Sequence, residues 1–588
     1  LSDSWTLAGG ARYTSGTNAF NAMFTGNDAS YASRFNNARW ENDVISPAYG
    51  AYTRGDTNNA KLNGFFATPS MAGLSREAFV DAYALGTGVA AFYQHNGERV
   101  ADDTILNYLL PFIANTDAES ASFDLHLEKQ FSAMGEHTLT VGVYGSDYSV
   151  DQSFQSSLLV STMEDQSKLA ELYVVDDAGS PVGPSLTYSG AILPGFFGYV
   201  SEIEAEGRAV YVLDHWELMD GRLKLDIGAR WQQVEADVLR LDRDLTANSN
   251  FTPEGIVPGS TEDVTTGDDE VFLPDPDLLR QGSNKFDDWG WSIGANYSVT
   301  NDFAVYGLVS DLFRLPSMED FNEFRVDDQS DTKQTERIKQ YEAGLRYYAD
   351  TWDTQIALFY NEFEPRQDNV QYRDFTDPTC TVNDGIADLN SCPLITDTYR
   401  RGVENRGIEV EFAWRPDFDF TQGLEVRFNG VVQDPKIVDA NYRVVNTIVE
   451  NDIIAGFEFL EIGENGRTPR RLSEQMYNFQ AVWDLKPIIG LPLKPYMKYT
   501  YFGERFSESR DVDVTLYPEY FHFDGGVIWD FSQDFAVQFH VSNITDELSF
   551  TEGDPLIPTL KGPNGATNRG VGRPLFGRIY RAMLNYRF

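Results

Sequence analysis

Read backwards from the C-terminus in steps of two, the chain gives Phe588, Tyr586, Leu584, Ala582 and Tyr580, with Arg587, Asn585, Met583 and Arg581 between them. A strand sends alternate side chains to opposite faces, so this stretch predicts one aromatic-apolar face and one largely polar face. The same alternation recurs upstream. Leu223, Leu225, Ile227, Ala229 and Trp231 oppose Lys224, Asp226, Gly228, Arg230 and Gln232. Tyr341, Ala343, Leu345 and Tyr347 oppose Glu342, Gly344 and Arg346. Ile408, Val410, Phe412 and Trp414 oppose Glu409 and Glu411, and Phe535, Val537, Phe539 and Val541 oppose Gln538 and His540. Charge recurring on the second face of strand after strand does not suit a dry sandwich core. It suits a wet lumen, and so predicts an all-β, transmembrane antiparallel β-barrel.

The connections alternate as well. Tight turns are predicted at 132–136, 219–222, 300–302, 349–352, 415–419, 487–491 and 532–534, with long links at 239–285, 316–338, 367–402, 434–469 and 548–572. Short turns at one end and long loops at the other are the layout of an outer-membrane barrel, and about sixteen strands are legible, an even number as that architecture requires. The whole of 1–588 reads as barrel. Within it, 15–119 lacks clean strand periodicity and is expected to be a long extracellular or lumen insertion, with helix-like pieces at 75–85 and 103–113. Loops of such length are usually functional or disordered.

Composition narrows the class. Aromatic residues make up 14% of the chain, with 30 Tyr and 40 Phe, enough to furnish girdles at two membrane interfaces. A formal net charge of -44 argues against nucleic acid as a partner. It fits an exterior that meets outer-membrane lipid and divalent-bridged lipopolysaccharide, and equally acidic loops kept soluble by their charge. No run of apolar residues is long enough for a transmembrane helix. Asp3 and Ser4 stand where a signal peptide would carry basic residues, so the chain reads as a processed or truncated product. Cys380 and Cys392 lie in a polar stretch with no histidine nearby, which predicts a loop disulfide in an oxidising compartment.

Catalytic chemistry leaves no mark. The six histidines, at 95, 126, 137, 215, 522 and 540, have no serine or aspartate at a recognisable motif spacing, and no nucleophile-elbow, zinc-protease, P-loop or dinucleotide pattern occurs. The chain is therefore not expected to be an enzyme, and no cofactor or metal is assigned. The acidic run 261–277 has the oxygen donors for a hard cation but lacks the EF-hand spacing, and a solvated loop is the simpler reading. A captured ligand would meet aromatic-polar clusters at loop tips and the upper lumen. The candidates are Trp289, Trp291, Phe321, Phe324, Arg325, Tyr372, Arg373, Tyr399 and Arg401. Arginine clamps carboxylate or phosphate, and aromatic rings stack on sugars or catechols. For each, packing in a girdle or loop is the plainer alternative.

Five motifs in order resemble the TonB-dependent outer-membrane receptors. They are Leu312-Phe313-Arg314-Leu315-Pro316-Ser317, Gln340-Tyr341-Glu342-Ala343-Gly344-Leu345-Arg346, Asn405-Arg406-Gly407-Ile408-Glu409-Val410-Glu411, Asn543-Ile544-Thr545-Asp546-Glu547, and the closing stretch from Gly572-Arg573-Pro574 to Phe588. The resemblance implies a barrel of the usual 22 strands closed by an N-terminal plug. It also implies capture of a scarce solute, siderophore-iron or glycan, and import driven through the TonB–ExbB–ExbD complex. The aromatic ending, with Tyr580, Leu584, Tyr586 and Phe588 on one face, resembles the signal read by the barrel assembly machinery. No TonB box, plug sequence or plug–barrel junction motif is found, and about six strands of the usual number are unaccounted for. A passive porin-like channel and an adhesive or structural barrel are the alternative readings.

Overall fold

The computed structural model describes residues 4–25, 30–31, 38–39, 44–45, 52–53, 88–164, 166–185, 191–242, 279–317, 335–373, 382–383, 386–387, 394–450, 453–506, 516–553 and 572–586. The architecture is a single antiparallel meander. Its long strands are β1 (Trp5–Thr25), β2 (Ile105–Ser132), β3 (Glu136–Thr162), β4 (Ala191–Leu218), β5 (Leu223–Asp242), β6 (Leu279–Ser298), β7 (Phe303–Arg314) and β8 (Glu336–Tyr348). They continue with β9 (Trp352–Arg373), β10 (Leu394–Trp414), β11 (Leu424–Val438), β12 (Gln475–Trp483), β13 (Leu493–Phe502), β14 (Tyr520–Trp529), β15 (Phe535–Ser542) and β16 (Ile579–Tyr586). Each pairs with the next. The two-residue strand Ser30–Tyr31 adds a short pairing to β2. Among the described residues β1 and β16 are the two edges of this sheet. Sixteen strands were legible in the sequence, and among the described residues sixteen long ones form the wall; the resemblance implied 22.

Register puts the predicted apolar positions on one face. Leu225 lies opposite Trp216 and Ala295, Trp231 opposite Val210 and Trp289, and Leu584 opposite Val537. These side chains face outward; Trp289 stays 55% and Leu584 65% exposed, and Leu225, Trp216 and Trp231 are half-buried among their neighbours. In a soluble protein that surface would demand a partner. Here a band about nine residues tall on each strand matches the length a tilted strand needs to cross a bilayer. Aromatics bracket it: Trp5, Trp216, Trp352, Trp414, Trp529 and Tyr586 mark the short-turn side, and Tyr13, Trp231, Trp289, Tyr341 and Tyr580 the other. One short-turn connection carries the only described helix, α1 (Lys486–Ile489), ended by Gly490 in the left-handed region.

Several strands run well beyond this band, and there the expectation for 15–119 is corrected. Residues 15–25 continue β1 and 105–119 belong to β2, so the stretch 103–113 is strand from Ile105 on rather than helix. Its aliphatic spacing suggested a helix, yet those residues pair with β1 and β3, with Pro111 at an interruption of the β2–β3 ladder. The other helix-like piece, 75–85, lies outside the described residues. Between β1 and β2 and between β3 and β4, the links contribute a small sheet of Pro181–Ser185, Ala170–Val175, Gly88–Tyr93 and Ala38–Arg39. Ala90, Phe92 and Val175 form its core, with Tyr173 edge-on to Phe92 at 5.5 Å.

In the extensions the two faces exchange character. On β4 and β5 the inner positions become Ile203, Ala205, Val234, Ala236 and Val238, all at most 5% exposed and packed by Tyr148, Phe286 and Leu315. The outer positions become Glu202, Glu204, Glu206, Glu235 and Asp237. Apolar residues point out where lipid lies outside, and in where water does.

Candidate functional site: the lumen wall and its mouth

The inner face of the band is polar, and three tyrosines tie it together by the same device. Tyr211 on β4 lies flat across Gly142 of β3, where a Cβ would run into its ring, and donates its hydroxyl to both oxygens of Asp124 on β2 at 3.0 Å. Arg230 on β5 stacks over the rings of Tyr211 and Tyr144. Tyr306 on β7 likewise covers Gly344 of β8. It donates to Glu342 at 2.8 Å, accepts from Gln355 of β9 at 3.2 Å, and carries the Arg346 guanidinium 4.4 Å above its ring. Tyr496 on β13 crosses Gly526 of β14 to meet His540 Nδ1 on β15 at 2.8 Å, and accepts from Gln538 at 3.0 Å. In each case glycine supplies the space that lets one side chain bond two strands away.

Ion pairs fill the lower lumen. His215 sits between Asp226 at 2.7 Å and Glu217 at 3.2 Å, and Lys224 reaches the same Glu217 at 2.8 Å. Arg415 bridges Asp353 and Glu425, and Arg427 joins Glu425. Higher up the wall is lined with amides. Asn405 donates to Gln433 at 2.9 Å, and the side-chain oxygens of Asn361, Asn405 and Asn478 find no protein donor. Such groups need water or a ligand to satisfy them.

The mouth is clasped. Arg337 on β8 binds Asp288 at 2.6 Å and Asp311 at 2.8 Å, joining β6, β7 and β8 above the band. The hairpin of Asn441–Glu450 and Ile453–Gly463 is anchored at its base by Glu464, which is 1% exposed, accepts from Tyr442 at 3.2 Å and pairs with Arg401 at 3.3 Å. Tyr399 packs against Tyr442, the rings tilted by 34° with centroids 4.6 Å apart. At its foot, Lys436 and then Arg406 hold the Asp434 carboxyl below its ordinary range.

Of the ligand candidates, Tyr399 and Arg401 are thus committed to holding a loop. Trp289 and Trp291 face outward beside Trp231, in the upper girdle and away from the lumen. Tyr372 and Arg373 end β9. Phe321, Phe324, Arg325, Cys380, Cys392, the acidic run 261–277 and Phe588 lie outside the described residues. Tyr580, Leu584 and Tyr586 sit on the outer face of β16, exposed at 62, 65 and 57%. Among the described residues no group of histidine, cysteine and acidic side chains is arranged to hold a metal. His540 meets Ser542 at 2.9 Å, but its other nitrogen faces a tyrosine rather than an orienting carboxylate. The tyrosine straps and the Arg401–Glu464 clasp were missed from sequence. A glycine on the polar face of a strand was the one local trace of the straps.

The family model described as TonB dependent receptor-like, beta-barrel matches residues 1–544. No curated protein matches the chain. Solved structures with a similar fold include the ferric yersiniabactin uptake receptor FyuA from Yersinia pestis, 13% identical with a TM-score of 0.44, covering 86% of this chain and 66% of that one. The ferric citrate transporter FecA is 11% identical with a TM-score of 0.46, at 82% and 57% coverage. The siderophore receptor PiuA from Acinetobacter baumannii is 12% identical with a TM-score of 0.48, at 100% and 75%. The chain thus spans 66% of the length of FyuA and 57% of FecA. With a banded, girdled wall, a polar inner face and a family match over most of its length, the chain belongs to the TonB-dependent receptors, β-barrel proteins of the outer membrane.

Proposed function

We propose that this barrel captures a scarce solute, such as siderophore-iron or a glycan, between its extracellular loops and upper lumen, and imports it with energy delivered by the TonB–ExbB–ExbD complex. The observation that carries the reading is the combination of an amide-lined inner wall with a mouth drawn together by partly buried ion pairs. A passive channel has no need to clasp its loops, whereas a receptor must present a defined surface to its ligand. Capture must also favour one state of the gate over another, or binding carries no signal inward. The outer face of β16, from Tyr580 to Tyr586, is the segment we assign to recognition by the barrel assembly machinery. No step of the reading requires a catalytic group or a cofactor.

Whole-cell uptake of radiolabelled iron chelates and of labelled oligosaccharides tests this, in cells with and without TonB. Uptake that needs both the barrel and TonB is expected. Uptake that persists without TonB identifies a diffusion channel, and cell adhesion lost on deletion with uptake intact identifies an adhesive barrel.

A further inference from the structure

Above the upper girdle the strands turn apolar side chains inward, and on β4 and β5 those side chains are sealed at 5% exposure or less. On β7 and β9 they are not. Leu312 and Phe363 also point inward, yet stay 40 and 46% exposed. They belong to a cross-strand row of Leu312, Ile338, Phe363, Val403 and Ile437, on the face that carries Tyr306. Apolar surface left open to a wet lumen marks a place that something covers.

Two residues lower, the next row is made of Ser310, Gln340, Asn361, Asn405 and Pro435. Below it come Leu308, Glu342, Phe359, Gly407 and Gln433. Phe359 lies across Gly407, where a Cβ would run into its ring. Asn361 thus stands between two aromatic positions of β9 that are about 13 Å apart along the strand. Asn405 donates its Nδ2–H to Gln433 at 2.9 Å, and Gln433 donates its own amide to the Ser473 carbonyl at 2.8 Å. The side-chain oxygens of Ser310, Asn361 and Asn405 find no protein donor, so these groups keep bonding capacity that the wall does not use.

Charge is what these three rows lack. Glu342 alone carries one, and the Tyr306 hydroxyl bonds it at 2.8 Å. Arg314, two residues above Leu312, is paired with Glu336 at 2.9 Å. The lower lumen, by contrast, is crowded with ion pairs. Iron chelates built on catecholate or carboxylate carry negative charge, and cations are needed to hold them. Aromatic rings flanking a row of amides suit a different ligand, with apolar faces, hydroxyl edges and no net charge.

We propose that this patch is the ligand-contacting wall of the receptor and that its ligand is a neutral oligosaccharide. Sugar rings stack on Phe359 and Phe363, and their hydroxyls bond the amides of Gln340, Asn361 and Asn405. The assignment rests on the capture reading above and narrows it from scarce solutes in general to one class.

The full chain in mild detergent is offered neutral oligosaccharides of glucose, xylose, mannose and galactose, together with oligogalacturonates, ferric citrate and a ferric catecholate. A neutral oligosaccharide should bind about tenfold or more tighter than the acidic sugars and both chelates. Phe363→Ala and Asn361→Asp should each weaken that binding by about tenfold, and unchanged heat-modifiable mobility on gels confirms that the barrel is intact. Tighter binding of a chelate or an oligogalacturonate overturns the proposal. So does neutral-sugar binding that survives both substitutions, or failure of every neutral sugar to bind. Uptake into cells separates this proposal from the reading beneath it. A chelate imported only with TonB removes the sugar and keeps the energised receptor, whereas a neutral sugar entering equally without TonB keeps the sugar and removes energised import.

Discussion

β5 crosses two environments, and its two halves obey opposite rules. From Leu223 to Trp231 its apolar side chains point away from the barrel axis. From Val234 to Val238 they point toward it, into a core of at most 5% exposure. β4 does the same, with Trp216, Val212 and Val210 outside below and Ile203 and Ala205 inside above. The backbone is one uninterrupted ladder throughout. What changes is the solvent on the outer side. Apolar side chains follow the dry side, so the level where alternation changes phase marks the edge of the bilayer more sharply than any count of hydrophobic residues.

The strongest way to break this comparison is to put charge on the dry side of each half. Val234→Asp buries a carboxylate in the inner core of the extension and should destabilise the barrel by about 3–4 kcal/mol in urea unfolding from lipid vesicles. Ile227→Lys places an ammonium in lipid mid-band and should cost about 2–4 kcal/mol in the same assay. Asp237→Lys, outward but above the bilayer, should change stability by less than about 0.5 kcal/mol. If Asp237→Lys proves as damaging as Ile227→Lys, the band does not end where the phase changes.

Smaller effects sharpen the account of the inner face. Tyr306→Phe keeps the ring over Gly344 but removes bonds to Glu342 and Gln355, an expected loss of about 1–2 kcal/mol in the same unfolding assay. Arg401→Met leaves Glu464 buried without its cation, so the 441–463 hairpin should be cut faster by protease while the band stays resistant. The smallest effect is a pH dependence. Since Lys436 and Arg406 lower the Asp434 carboxyl, its contribution is present above the ordinary carboxylate range and fades as pH falls through the depressed value. Thermal melts of Asp434→Asn should sit slightly below the native protein at neutral pH and converge with it in acid.

These same contrasts explain what was readable in the chain. The sixteen strands were legible because lipid on one side and water on the other write a clean period of two, as in 223–231 and 580–586. The upper parts of β2, β3 and β4 were hidden because above the bilayer the outer face is no longer apolar and the alternation loses its contrast, whereas β5 was legible through its upper part. Trp289 and Trp291 resembled ligand contacts because aromatic side chains in polar surroundings mark binding sites and membrane interfaces alike. Only register tells them apart. The clasp of Arg401 on Glu464 joins residues far apart in the chain, and no local pattern announces it.

The most direct measurement is a nitroxide scan of 223–239 in lipid vesicles, in a Cys380→Ser, Cys392→Ser background, reading oxygen against a water-soluble nickel complex. Leu225, Ile227, Ala229 and Trp231 should be reached by oxygen and their even-numbered neighbours by nickel. From 233 upward the pattern should invert, with 235 and 237 open to nickel and 234, 236 and 238 shielded from both. Lipid exposure that continues through 235 and 237 would contradict the change of environment on which the placement of this barrel in its membrane rests.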